Sequence, residues 1–104
     1  MKIIKKLCDL IDEEIHDGKK YAKLALAYKD DDVALAEMFF NLSLEEMKHR
    51  QTLHNAVVKA INKIKIEKAD NPKLEGMQTI YDLLHERSIN KAKEVQILQN
   101  MYRE

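Results

Sequence analysis

The sequence predicts an all-α domain: a long antiparallel helical hairpin followed by a third helix. Three observations carry this. The composition is 45% hydrophobic and 35% charged, with two Gly and one Pro. That is too apolar for a disordered chain and too poor in turn residues for a β-sandwich. Apolar residues recur in alternating steps of three and four over long stretches, as on one face of a helix. Only two stretches break that pattern, Lys29-Asp30-Asp31-Asp32 and Ala69-Asp70-Asn71-Pro72. The whole chain, 1–104, has the length of one domain with a modest core.

The first helix is expected over 3–28. Its seam reads Ile4, Leu7, Ile11, Glu14, Gly18, Tyr21, Ala25 and Tyr28. Gly18 is unfavourable inside a helix by about 1 kcal/mol relative to Ala. Its missing side chain lets a neighbouring helix, or a larger side chain, come close beside Glu14. The acidic break that follows lacks the alternating oxygen ligands and distal Glu of a calcium loop. It is read as a turn in which Asp31 or Asp32 caps the next helix. A turn this short makes the two helices an antiparallel hairpin.

The second helix is expected over 33–66. Its seam is Leu35, Phe39, Leu42, Glu46, His49, Leu53, Ala56 and Ala60, fraying into the mixed tail Ile64-Lys65-Ile66-Glu67-Lys68. Asn71 as cap with Pro72 at the first helical position signals a third helix, over 73–102. Its apolar stripe, from Leu74 and Met77 to Leu98 and Tyr102, weakens where Arg87, Ser88, Asn90 and Lys91 cluster.

Both hairpin seams carry ionisable residues where Leu or Ile is expected. Glu46 and His49 lie three residues apart and so share one helix face. Counting out from the turn, Glu14 lies about 17 residues back and Glu46 about 15 forward, heights that agree within roughly 3 Å. Two carboxylates and an imidazole therefore converge at one depth. Buried charges are paired, neutralised or bound to metal, and this donor set suits iron, manganese or zinc. The rival reading is a non-enzymatic helical interaction module, whose Glu/His layer only sets dimer specificity and is neutralised by Lys91 or Arg87.

With Tyr21 seven residues after Glu14, and Glu45-Glu46-Met47-Lys48-His49 in the second helix, the chain resembles the ferritin-like superfamily, and within it the rubrerythrin-type domains. The resemblance covers about the first 65 residues. It implies that Glu14 binds one metal, that Glu46 bridges two, and that His49 binds terminally. It implies that Tyr21 sits beside the site and hydrogen-bonds a ligand. The implied cofactor is a di-iron centre that oxidises Fe(II) with O₂ or peroxide, of ferroxidase or peroxide-detoxifying type. Full members have four helices and repeat the motif in the second pair. The third helix here has no such repeat, so one chain holds half a site. A homodimer or higher homo-oligomer would complete both the four-helix bundle and the ligand set. Glu86 and Glu94 would contribute only if the third helix packed differently.

Other residue classes narrow the function. Eighteen basic and eighteen acidic residues give zero net charge, so a nucleic acid or an anionic membrane is not an expected partner. No apolar stretch has the length of a bilayer span. The start of the chain does not read as a signal peptide, and a cytoplasmic location is expected. Cys8 is the only cysteine, which excludes a paired-cysteine metal module and leaves any electron donor external. Cys8 itself is read as a small apolar side chain. Glu13 and Glu45 point off the seam, and His16, His54 and His85 are expected at the surface or half-buried.

Overall fold

The computed structural model describes residues 2–67 and 72–104. Helix α1 spans Lys2–Tyr28, α2 spans Val33–Glu67 and α3 spans Pro72–Arg103, so the expected limits hold to within one residue. No strand is present among the described residues. The helices form a rod of 59 × 17 × 17 Å. Its long dimension is close to the roughly 52 Å of the longest helix at 1.5 Å per residue. Ile64 to Glu67 continue α2 rather than fraying; the Asn71 cap lies outside the described residues. No described helix is long and apolar enough to cross a membrane.

The turn after α1 works as its acidic residues suggest. The Asp31 and Asp32 amides donate to the Tyr28 carbonyl, at 3.1 and 2.9 Å. Asp32 is the cap: its Oδ1 accepts from the Leu35 amide at 3.1 Å, and its carbonyl accepts from the Ala36 amide. This satisfies amides that the first turn of a helix leaves free.

Helix α1 packs most extensively on α2, and α3 lies mainly along α1. The core runs through Ile4, Ile11, Ile15, Val57, Ile61 and Val95. On α2 the fully buried positions are Ala36, Ser43, Val57 and Ile61, one step round from the expected seam. The expected seam residues are half-buried, apart from His49, which is exposed. The cause is α3. It closes over one side of the hairpin and buries the positions that face it, while the expected seam borders the side it leaves open.

A polar knot ties the three helices together. The Ser43 hydroxyl, fully buried, donates to the Gly18 carbonyl at 2.7 Å and accepts from Gln99 Nε2 at 2.9 Å. The carbonyl it reaches belongs to the residue without a side chain. A Cβ on Gly18 would stand 3.0 Å from Met47 Sδ and 3.6 Å from Glu46 Cβ. The helices therefore approach closely at the level of the seam glutamates.

Candidate metal centre

Glu14, Glu46 and His49 come together. One donor atom from each lies within 4.8 Å of the other two, and no other group of three or more such residues does so among those described. His49 Nδ1 is 3.5 Å from Glu14 Oε2 and 3.6 Å from Glu46 Oε2. These are too long for good hydrogen bonds. They are close to the roughly 3–3.5 Å between neighbouring donors that each stand about 2.0–2.2 Å from a shared metal. Glu14 Oε2 is buried and has no hydrogen-bond partner. An oxygen in that state is costly unless a cation or donor meets it. Two carboxylates and an imidazole around an orphaned oxygen fit a first-row transition ion.

The His49 side of the site faces away from α3. Helix α1 meets α3 through Cys8 and Asp12, which share a cavity with α3 residues, and through the Lys19–Glu94 ion pair. At about 100° per residue, Glu14 lies roughly 120–160° around α1 from all three, and about 60° from Ile11, which lines the same cavity. Helix α2 meets α3 through Phe40, stacked on Tyr102, and His54, stacked on His85. His49 lies roughly 140–180° around α2 from both and about 120° from Ser43, which bonds Gln99 of α3; Glu46 lies roughly 60–120° from the three. The Glu14 and Glu46 side chains are 24% and 18% exposed, and His49 is 59% exposed. The centre is thus half-sunk in the uncovered groove of the hairpin. Leu42 and the exposed Met38 border a shallow depression on the same flank.

The structure also places the other candidate residues. Lys91 and Arg87 do not neutralise the glutamates: both line the cavity between α1 and α3, where the third helix carries them. Among the described residues, His49 is the only group in ion-pair range of Glu14 or Glu46. Tyr21 is on the site's flank of α1, but its hydroxyl makes no hydrogen bond to either carboxylate among the described residues. Its ring stacks on Phe39 at 6.3 Å, and Phe39 in turn meets Tyr28 at 6.1 Å. Glu94 pairs with Lys19 at the surface and Glu86 is exposed, so neither joins the site. Glu13, Glu45 and His16 are exposed, as expected.

One cluster escaped the sequence reading. His54 and His85 are half-buried as expected, but their rings stack 4.6 Å apart at 20°, and Tyr81 stacks on His85 at 5.6 Å. Cys8 lies in the same cavity wall rather than simply in the apolar core. The available signal was the spacing of four in Arg50/His54 and Tyr81/His85, which puts each pair on one helix face.

Burial first, then His85 and Arg50, disfavour the charged His54 ring and hold it below the ordinary histidine value of 6.5. The unfolded chain therefore binds the proton more readily. The neutral ring's contribution to stability is complete above about pH 6.5 and is lost as pH falls through the lower folded value. In chloride buffer the melting temperature should fall as pH drops below about 6.5. His54→Phe, which keeps a ring against His85, should flatten that slope. Equal slopes in the two proteins would contradict the assignment.

Compared with models of protein families, with curated proteins and with solved structures, the chain gives no match.

Proposed function

We propose that the chain is a half-sized ferritin-like protein that dimerises through the open face of α1 and α2 and holds a di-iron carboxylate centre. Its activity is oxidation of Fe(II) by O₂ or peroxide. The observation that carries this reading is the orphaned Glu14 Oε2 beside Glu46 and His49, on the flank of the hairpin that α3 leaves uncovered. Had the layer served only as a polar lock, a cation from α3 should reach it. Arg87 and Lys91 sit elsewhere.

Each chain brings two carboxylates and one imidazole. Two chains related by a two-fold axis bring four and two, the ligand set of a di-iron site in a four-helix bundle. Four carboxylates balance the charge of two divalent ions. Glu14 and Glu46 would bind as carboxylates, and His49 through a neutral imidazole nitrogen. The metal pair supplies the change of valence; the protein fixes ligand number, orientation and exclusion of water. Gly18 and the Ser43 bond hold the two helices at the spacing that brings the carboxylates together. A partner hairpin would cover His49, which is open in one chain. Manganese or zinc fits the same donors.

The mass in solution tests the dimer. Sedimentation of the iron-loaded protein should give twice the chain mass of 12.2 kDa, or a multiple of that dimer. A strict monomer under loading conditions would rule out this site.

A further inference from the structure

Where α3 closes on α1 and α2 lies a cavity of about 70 Å³. A single water needs roughly 10–15 Å³ by the same kind of measure, so there is room for several waters or one small polyatomic ion. The walls are rich in donors. His54 enters from α2; Tyr81, His85, Arg87 and Lys91 enter from α3. The Tyr81 hydroxyl is buried without a hydrogen-bond partner, and so is Nε of the neighbouring Arg50. Arg87 and Lys91 have no carboxylate in ion-pair range among the described residues. The acidic groups nearby are Asp12 and the Cys8 thiol on α1, Glu13 and Asp17, which with Asp12 and His16 line a depression shared with Lys91, Asp9 behind Cys8, and Asp82 beside Tyr81. Buried donors lacking acceptors are expensive, and a charged acceptor satisfies them best.

We infer that this cavity binds a small tetrahedral oxyanion of the phosphate or sulfate class. Arg87 and Lys91 hold it at the exposed mouth, and His54, His85 and the Tyr81 hydroxyl hold it within. The site is separate from the metal centre and does not depend on it. Binding is coupled to protonation. Charging the His54 imidazole is opposed by burial, then by His85 and Arg50, and an anion between the imidazoles and the mouth cations offsets that opposition. The oxyanion therefore ties α3 to the hairpin most firmly at mildly acid pH, where the empty His54–His85 contact is weakest.

Calorimetric titration of the full-length, metal-free chain tests this, in chloride buffer at constant ionic strength. Sulfate, inorganic phosphate and a phosphomonoester, glycerol 3-phosphate, are the probes. Sulfate keeps its charge across the range, so its pH dependence reports on the protein alone. Saturable binding of one sulfate per chain is expected, tighter at about pH 6 than at about pH 8. Arg87→Gln with Lys91→Gln should weaken it about tenfold, the loss of one charge-assisted hydrogen bond. These side chains are exposed, so the variant should melt as the parent does without anion. His85→Phe keeps the stacked ring and should also weaken binding. If only the phosphomonoester binds, the oxyanion site stands and its ligand is a phosphorylated metabolite; if the free anions bind, it is the ion itself. Absence of saturable heat with all three probes would overturn the inference. So would unchanged affinity in the Arg87/Lys91 variant. Glu46→Leu with His49→Leu should leave anion binding intact, which keeps this test apart from the metal reading.

Discussion

In the Glu46→Leu/His49→Leu variant, iron should no longer raise the melting temperature, while the metal-free protein melts no lower than its parent. The first half follows from the donor set. Glu14 alone cannot hold an ion, because the double change removes two of the three converging groups. In the parent, metal at a hundredfold excess over its dissociation constant stabilises the fold by about 2.7 kcal/mol. For a domain of this size that is a rise of roughly 10–20 °C. The second half follows from burial. Glu46 sits half-sunk in an apolar groove, and exchanging a polar layer for leucine of similar volume is often neutral or stabilising. Differential scanning calorimetry with and without Fe(II), kept anaerobic, reads both halves. A metal-induced rise that survives the double substitution would place the metal elsewhere.

Gly18→Leu should cost about 1–3 kcal/mol through overpacking, a drop of roughly 5–20 °C in melting temperature. A bare Cβ already stands 3.0 Å from Met47 Sδ. The further atoms of leucine have to displace α2 itself, beside Glu46 and beside the Ser43 hydroxyl bonded to the Gly18 carbonyl. The displacement separates Glu46 from Glu14, so metal affinity should fall with all three ligands intact. Gly18→Ala asks less. It gains up to about 1 kcal/mol of helix propensity and only moves a flexible thioether, so its stability should stay near the parent's. A Gly18→Leu protein that melts with the parent and binds metal equally would show that the close approach is unimportant.

The helices were legible because Pro72 and the acidic turn are strong local signals, and Asp32 caps as a short side chain before an apolar run should. The convergence of Glu14 with Glu46 was legible too, since a short turn and a fixed rise per residue set their heights. The true core line of α2 was not. Periodicity finds an apolar face but cannot say on which flank a third helix will dock, and that choice moved burial from Leu35 and Leu42 to Ala36 and Ser43. Ser43 and Gln99 stand outside any apolar pattern, because only their partners, 25 and 56 positions apart, make them a knot. The His54–His85 stack was hidden for the same reason: each histidine is unremarked on its own helix. Tyr21 lies on the right flank, but the direction of its hydroxyl is decided by the ring's packing on Phe39.

Metal analysis of the protein purified after growth with iron tests the central claim most directly. The account predicts about two irons per dimer, eluting with the dimer, and loss of both in the Glu46/His49 variant. Protein free of bound metal, with a melting temperature unmoved by added Fe(II), would contradict it.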